Sequence, residues 1–124
     1  MISADTSSLI AYFQGDKGDD INKINQSLLD QNLILSPVVV CELLSDPKLP
    51  KQIADYISAL PVLEMKDGYW QRVAKIRSIL ISKKLKARLA DSMIAQICVD
   101  HNISLITRDG DFKNFQKYSN LKLN

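Results

Sequence analysis

The chain is poor in the residues that build soft-metal sites and nucleophilic triads. It has a single histidine, His101, and two cysteines, Cys41 and Cys98. A Cys/His zinc cluster cannot be assembled from that set. A Ser-His-Asp triad would have to use His101, which lies between Asp100 and Asn102 at an expected helix end. No apolar run approaches the roughly 18 to 20 residues of a membrane span. The opening Met1–Gly15 has Asp5 and lacks a basic start of the secretory kind. These absences lead to the expectation of a cytoplasmic protein with no membrane partner. Both thiols sit in apolar surroundings and are expected to be reduced and buried. With only four glycines and four prolines the composition is not that of a disordered or collagen-like chain.

What remains is an ordinary globular complement. A length of 124 residues with 46% apolar content suits one domain, taken as 1–124, around one core. The formal net charge of +2 says little about partners, but its distribution says more. Gly68–Ala90 carries Arg72, Lys75, Arg77, Lys83, Lys84, Lys86 and Arg88 with no acid, which leaves nine basic against fourteen acidic residues elsewhere. The alternatives are a solvated helix face and a surface that contacts a phosphate backbone.

Periodicity and punctuation predict the elements. Met1–Ala4 reads as a strand ending at Asp5, and Thr6-Ser7-Ser8 supplies capping hydroxyls for a helix over Leu9–Phe13. Ile21, Ile24, Leu28 and Leu29 mark one face of a second helix. Leu33–Leu35 reads as a strand, then Ser36-Pro37 opens a helix over Val38–Leu44. Gln52–Leu60 is expected to be helical and Val62–Met65 a brief strand. Asp67 is placed to cap a long helix with Trp70, Val73, Ile76 and Leu80 as its apolar stripe. Ala90–Val99 follows as a helix, Ile103–Ile106 as a buried strand and Leu121–Leu123 as an edge strand. Strands separated by helices, without hairpin signals, call for a parallel sheet covered on both faces, an α/β three-layer domain.

In such a sheet, functional groups gather beyond the carboxyl ends of the strands. Asp5, Glu42, Asp91 and Asp109 meet that condition, with Asp111 a near neighbour. Singly, Asp91 and Asp109 could be caps worth roughly 1 kcal/mol each. Glu42 interrupts an apolar run and must reach solvent or be paired. If the four converged, each close pair would repel by about 4 kcal/mol at 4 Å in an effective dielectric near 20, so a cation is needed. An all-oxygen site selects Mg²⁺ or Mn²⁺. A hard divalent cation beside a basic surface is the combination that phosphodiester hydrolysis requires.

These residues carry a resemblance. Leu89-Ala90-Asp91-Ser92-Met93-Ile94-Ala95, followed by His101 and Leu105-Ile106-Thr107-Arg108-Asp109-Gly110-Asp111-Phe112, resembles the third and fourth acidic motifs of PIN-domain ribonucleases of the VapC toxin type. Asp5-Thr6-Ser7-Ser8-Leu9-Ile10 resembles the first motif, and Ser36-Pro37 to Glu42-Leu43 the second. The resemblance implies a PIN-like α/β/α fold with a parallel sheet of four or five strands. It implies a Mg²⁺- or Mn²⁺-dependent endoribonuclease, a homodimer, an RNA substrate and an inhibiting antitoxin. It makes Asp5, Glu42, Asp91 and Asp109 the catalytic, metal-site acids, gives Thr6 and Thr107 supporting hydroxyls, and likens Asp111 to an accessory acid. Ser7 departs from the asparagine frequent at that position. The basic segment, Arg72, Lys75, Lys83, Lys84, Lys86 and Arg88, becomes the expected RNA contact. A noncatalytic RNA- or protein-binding module of the same fold is one alternative. A Mg²⁺-binding receiver-type signalling domain is another, but that reading wants an acid pair after the first strand, where Asp5 stands alone.

Overall fold

Leu105 and Ile106 are adjacent in one strand and both have no solvent exposure. Neighbouring strand residues point to opposite faces, so this sheet is covered on both sides. The computed structural model describes residues 1–124. In chain order the elements are β1 (Ile2–Ala4), α1 (Thr6–Phe13), α2 (Asp19–Leu29), α3 (Pro37–Leu44), α4 (Lys51–Ser58), α5 (Tyr69–Ser82), α6 (Leu89–Asp100), β2 (Ser104–Ile106), α7 (Phe112–Tyr118) and β3 (Lys122–Leu123). The strands pair in the order β1-β2-β3, all parallel, with Ala4 opposite Ile106 and Leu105 opposite Leu123.

Regular pairing stops at three strands, fewer than the four or five expected. Beyond β1 the sheet continues only as isolated parallel bridges, Ile2 to Leu33 and Leu35 to Val62. Leu35 is fully buried while Val62 is 42% exposed, so the outermost segment has only one covered face to hold it in register. The expected strands over Leu33–Leu35 and Val62–Met65 are thus present as single-residue pairings.

Local chemistry explains several boundaries. Ser36 accepts a hydrogen bond from the Val38 N–H at 3.3 Å and Pro37 occupies the first helical position of α3. At α1 the cap is Asp5, which accepts from the Ser8 N–H, and not a hydroxyl of Thr6, Ser7 or Ser8. Asp67 does not cap α5. Gly68 holds that position at φ 80°, a left-handed conformation that suits glycine, and Arg72 Nη1 donates to the Asp67 carbonyl. The stripe of α5 is Tyr69, Val73, Ile76 and Leu80, with Trp70 turned outward at 53% exposure. Tyr69 takes the inward place because its hydroxyl donates to the Met93 carbonyl at 2.7 Å, which satisfies its polar end.

Helix α7 has no counterpart among the expected elements, although Phe112 and Phe115 lie one turn apart and both are buried. Cys98 is buried, and burial pushes its thiol up to about 12. Cys41 is exposed, against the expectation that both thiols are enclosed, because Val39 and Leu43 take the inward face of α3. No helix is long and apolar enough to cross a membrane.

Candidate functional site

Asp5 follows β1 and is 3% exposed. Its carboxylate accepts from the Ser8 N–H at 3.1 Å, from Ser7 Oγ at 3.1 and 2.9 Å, and from Thr107 Oγ1 at 2.7 Å. Burial raises its pKa and outweighs these hydrogen bonds, which pull it down. Thr107 follows the neighbouring strand β2, so the parallel pairing of Ala4 with Ile106 sets the two residues side by side. The Thr107 hydroxyl also accepts from the Asp109 N–H at 3.0 Å, and Asp109 Oδ1 accepts from the Asp111 N–H at 2.9 Å. One chain of hydrogen bonds therefore runs from Asp5 through Thr107 and Asp109 to Asp111.

Asp91 enters from the first turn of α6, where the helix dipole favours a negative charge. Carboxylate oxygens of Asp91, Asp109 and Asp111 lie within 4.8 Å of one another. Asp91 is pushed up to about 6, first by burial and then by the charge of Asp109, with Arg88 opposing and Asp5 and Asp111 adding. The tight group thus contains Asp111, which the sequence offered only as accessory, while Asp5 acts on Asp91 through its charge. Glu42 is exposed on α3 and accepts from Thr6 Oγ1 at 2.7 Å. It is both solvated and paired, through Thr6, the neighbour of Asp5, and it lies outside the tight group. Three oxygen donors with neither imidazole nor thiol among them fit a hard divalent cation.

The basic segment is not one surface. Lys86 Nζ is 3.5 Å from Asp111 Oδ2, and Arg88 precedes α6 close enough to act on Asp91. Arg72 is bound at the other end of that helix, to Asp100, which is nine residues or about 13 Å from Asp91 along the axis. Its Nε and Nη2 donate to Asp100 at 2.9 and 2.7 Å. Lys75 is exposed on α5, Lys84 is exposed at φ 59°, and Lys83 lies over the Tyr118 ring.

Sequence reasoning missed a brace around Asp109. Arg108 Nε and Nη2 donate to Asp20 at 2.7 and 3.1 Å, and Nη1 reaches Asp16 at 3.4 Å. Ser8 Oγ donates to the same Asp20 carboxylate at 3.0 Å. The start of α2, the first turn of α1 and the residue before Asp109 are thereby tied together. The bond to Arg108 holds the Asp20 carboxyl at about 2. A sequence separation of 88 residues left no local signal for this pair.

The two perturbed carboxyls predict stability changes in different pH windows. Asp91 is raised in the folded, metal-free protein, so the fold binds more protons than the unfolded chain between about 3.8 and 6 and loses stability as pH rises through that range. Asp91→Asn should remove that slope and stabilise the metal-free protein at pH 7 by on the order of 1 kcal/mol, after screening of a half-exposed group, as read by denaturant titration. Asp20 is lowered to about 2, so its contribution is present above about 3.8 and is lost as pH falls through 2. Asp20→Asn should lower the melting temperature at pH 7 and have little effect near pH 2. An equal melting-temperature loss at both pH values would contradict the brace.

The arrangement has relatives. The PIN domain family model matches residues 2–118. No curated protein sequence matches the chain. VapBC2 from Rickettsia felis, solved with a DNA fragment from its promoter, superposes with a TM-score of 0.74 at 24% identity, covering 100% of this chain and 98% of that one. FitAcB from Neisseria gonorrhoeae gives 0.74 at 21% identity, covering 99% and 96%. VapBC-5 from Mycobacterium tuberculosis, described as a member of the VapBC family of toxin-antitoxin systems, gives 0.67 at 18% identity, covering 98% and 95%. At these identities the structures show a shared fold. The family match spans the ends of β1 and β2 and the start of α6, where the acids lie, and the chain belongs to the PIN-domain family.

Proposed function

We propose that this protein is a Mg²⁺- or Mn²⁺-dependent endoribonuclease and the toxin of a toxin–antitoxin pair. The observation that carries this reading is the group formed by Asp91, Asp109 and Asp111, whose oxygens lie within 4.8 Å of one another, with buried Asp5 linked to Asp109 through Thr107. Those residues would hold the metal, with Glu42 at the margin of the site. A bound divalent ion lowers the pKa of its water and takes up charge on the phosphate. The chain's own residues prepare the site for that chemistry. Thr107 fixes the orientation of both Asp5 and the Asp109 backbone, and Thr6 orients Glu42. Lys86 and Arg88 set positive charge at the rim, where the oxygens of a polyanion can be attracted.

The toxin assignment is supported by the fold shared with chains of VapBC and FitAcB complexes. A cognate antitoxin would silence the enzyme by placing an arginine or lysine among the acids, in competition with metal. An RNA substrate sets its action in the cytoplasm. The family match removes the basis for the receiver-type alternative. A homodimer is supported by an apolar concavity on α5 and the start of α6, of about 430 Å³, with Trp70, Ile81 and Leu89 more than half exposed.

Asp5→Asn and Asp91→Asn should each reduce metal-dependent RNA cleavage to background while the circular dichroism spectrum is kept. Unchanged cleavage in both purified variants would defeat the nuclease reading. Metal should raise the stability of the wild type by about 2.7 kcal/mol at a hundredfold excess over Kd. Expression of the folded wild type without harm to growth or RNA would remove the toxin assignment. Trp70→Glu should shift the protein to monomer in sedimentation, and an unaltered dimer would place the interface elsewhere.

A further inference from the structure

The basic linker between α5 and α6 has a direction relative to the acids. Lys86 Nζ stands 3.5 Å from Asp111 Oδ2, at the start of α7. Lys83 Nζ stands 5.0 Å from the ring centroid of Tyr118, the last residue of α7. The linker therefore lies along α7, touching both ends of a helix about 10 Å long. It leads away from the acidic cluster toward Tyr118.

Lys117 brings a second ammonium to 5.5 Å from the same ring centroid. Neither Lys83 nor Lys117 belongs to any of the five ion pairs of the protein. No acid occurs in α5, in the linker or in α7 to neutralise them. Tyr118 also borders a cleft of about 270 Å³ whose lining includes Lys75, Ser119 and Asn120. Lys75 is likewise exposed and unpaired, whereas Arg72 in the same cleft is committed to Asp100.

Two ammonium groups near one ring, with no acid beside them, leave positive charge at the end of α7 that a single ring compensates only in part. A phosphate bound beside the ring is attracted by both and releases counterions from the strand. We propose that Lys83, Lys117 and Tyr118 form a phosphodiester-binding subsite separate from the acids, holding single-stranded RNA that runs along α7 past Lys86. The subsite rests on the ribonuclease reading for its ligand. Tyr118 acts as the platform that gathers both cations, which makes an aromatic ring, and not its hydroxyl, the required feature.

The test measures binding of a labelled single-stranded RNA of about 12 nucleotides over a salt series, with Ca²⁺ in place of the catalytic metal. The double variant Lys83→Gln/Lys117→Gln should flatten the plot of log K against log salt by about 0.7, the value for one phosphate that is no longer neutralised. Tyr118→Phe should keep the wild-type slope and Tyr118→Leu should reduce it. Cleavage of a dinucleotide, whose only phosphate is the one cleaved and so cannot also occupy the subsite, should be the same in the double variant and the wild type. An unchanged slope in a double variant whose wild type binds RNA overturns the subsite alone. A wild type that binds no RNA overturns both the subsite and the ribonuclease reading. A double variant that alters sedimentation but not the RNA slope assigns the lysines to an interface between copies and overturns the subsite.

Discussion

Carboxylates of one sign gathered at one end of a sheet repel each other, and much of the surrounding structure bears on how that repulsion is held. Asp91 shows it directly, since burial and the charge of Asp109 push its carboxyl up to about 6. A relay of hydrogen bonds anchored in the sheet joins Asp5, Asp109 and Asp111. The pairing of β1 with β2 sets Asp5 beside Thr107, whose hydroxyl serves Asp5 and the Asp109 backbone at once. Behind it lies a core that includes Leu105, Ile106, Phe112 and Phe115, all essentially unexposed. Burial of such side chains, roughly 1.5 to 3 kcal/mol each, offsets the cost of crowding the acids.

Parallel topology explains why these residues meet. Each strand must return by a crossover, so the carboxyl ends of the strands face the same edge of the sheet. Asp5 and Thr107 leave neighbouring strands there. Helix α6 presents Asp91 from its first turn, where the dipole favours an anion. The strands need be only two or three residues long for this purpose, because register at one end is enough to align the acids.

The positive charge of α5 and the linker is divided according to its neighbours. Arg72 is saturated by Asp100, whose side chain is 6% exposed, and its pairing fastens α5 to the end of α6. Arg77 donates to the Ala87 carbonyl and so ties the linker to α5. Lys86 and Arg88 stand at the acids, while Lys83 lies at the far end of α7. Charges that read as one run along the chain are thus partly structural and partly available to a polyanion. This division gives the ribonuclease proposal a surface with direction and not merely a net charge.

The sequence alone determined the α/β character and the positions of the acids at element ends. Those depend on signals local to the chain: apolar periodicity, the Ser36-Pro37 helix start, and acids immediately after apolar strand segments. The acidic motifs were legible for the same reason, as was the need for Glu42 to be solvated or paired. Tertiary structure decided which acids share the tight group, bringing Asp111 in and leaving Glu42 outside it. It decided that Tyr69 and not Trp70 turns inward, through a hydrogen bond to a carbonyl 24 residues away. It also created the Arg108–Asp20 brace and laid Lys83 against Tyr118. Each of these outcomes joins residues far apart in the chain, and their distances follow from how the helices pack on the sheet, a property that no local pattern of side chains encodes.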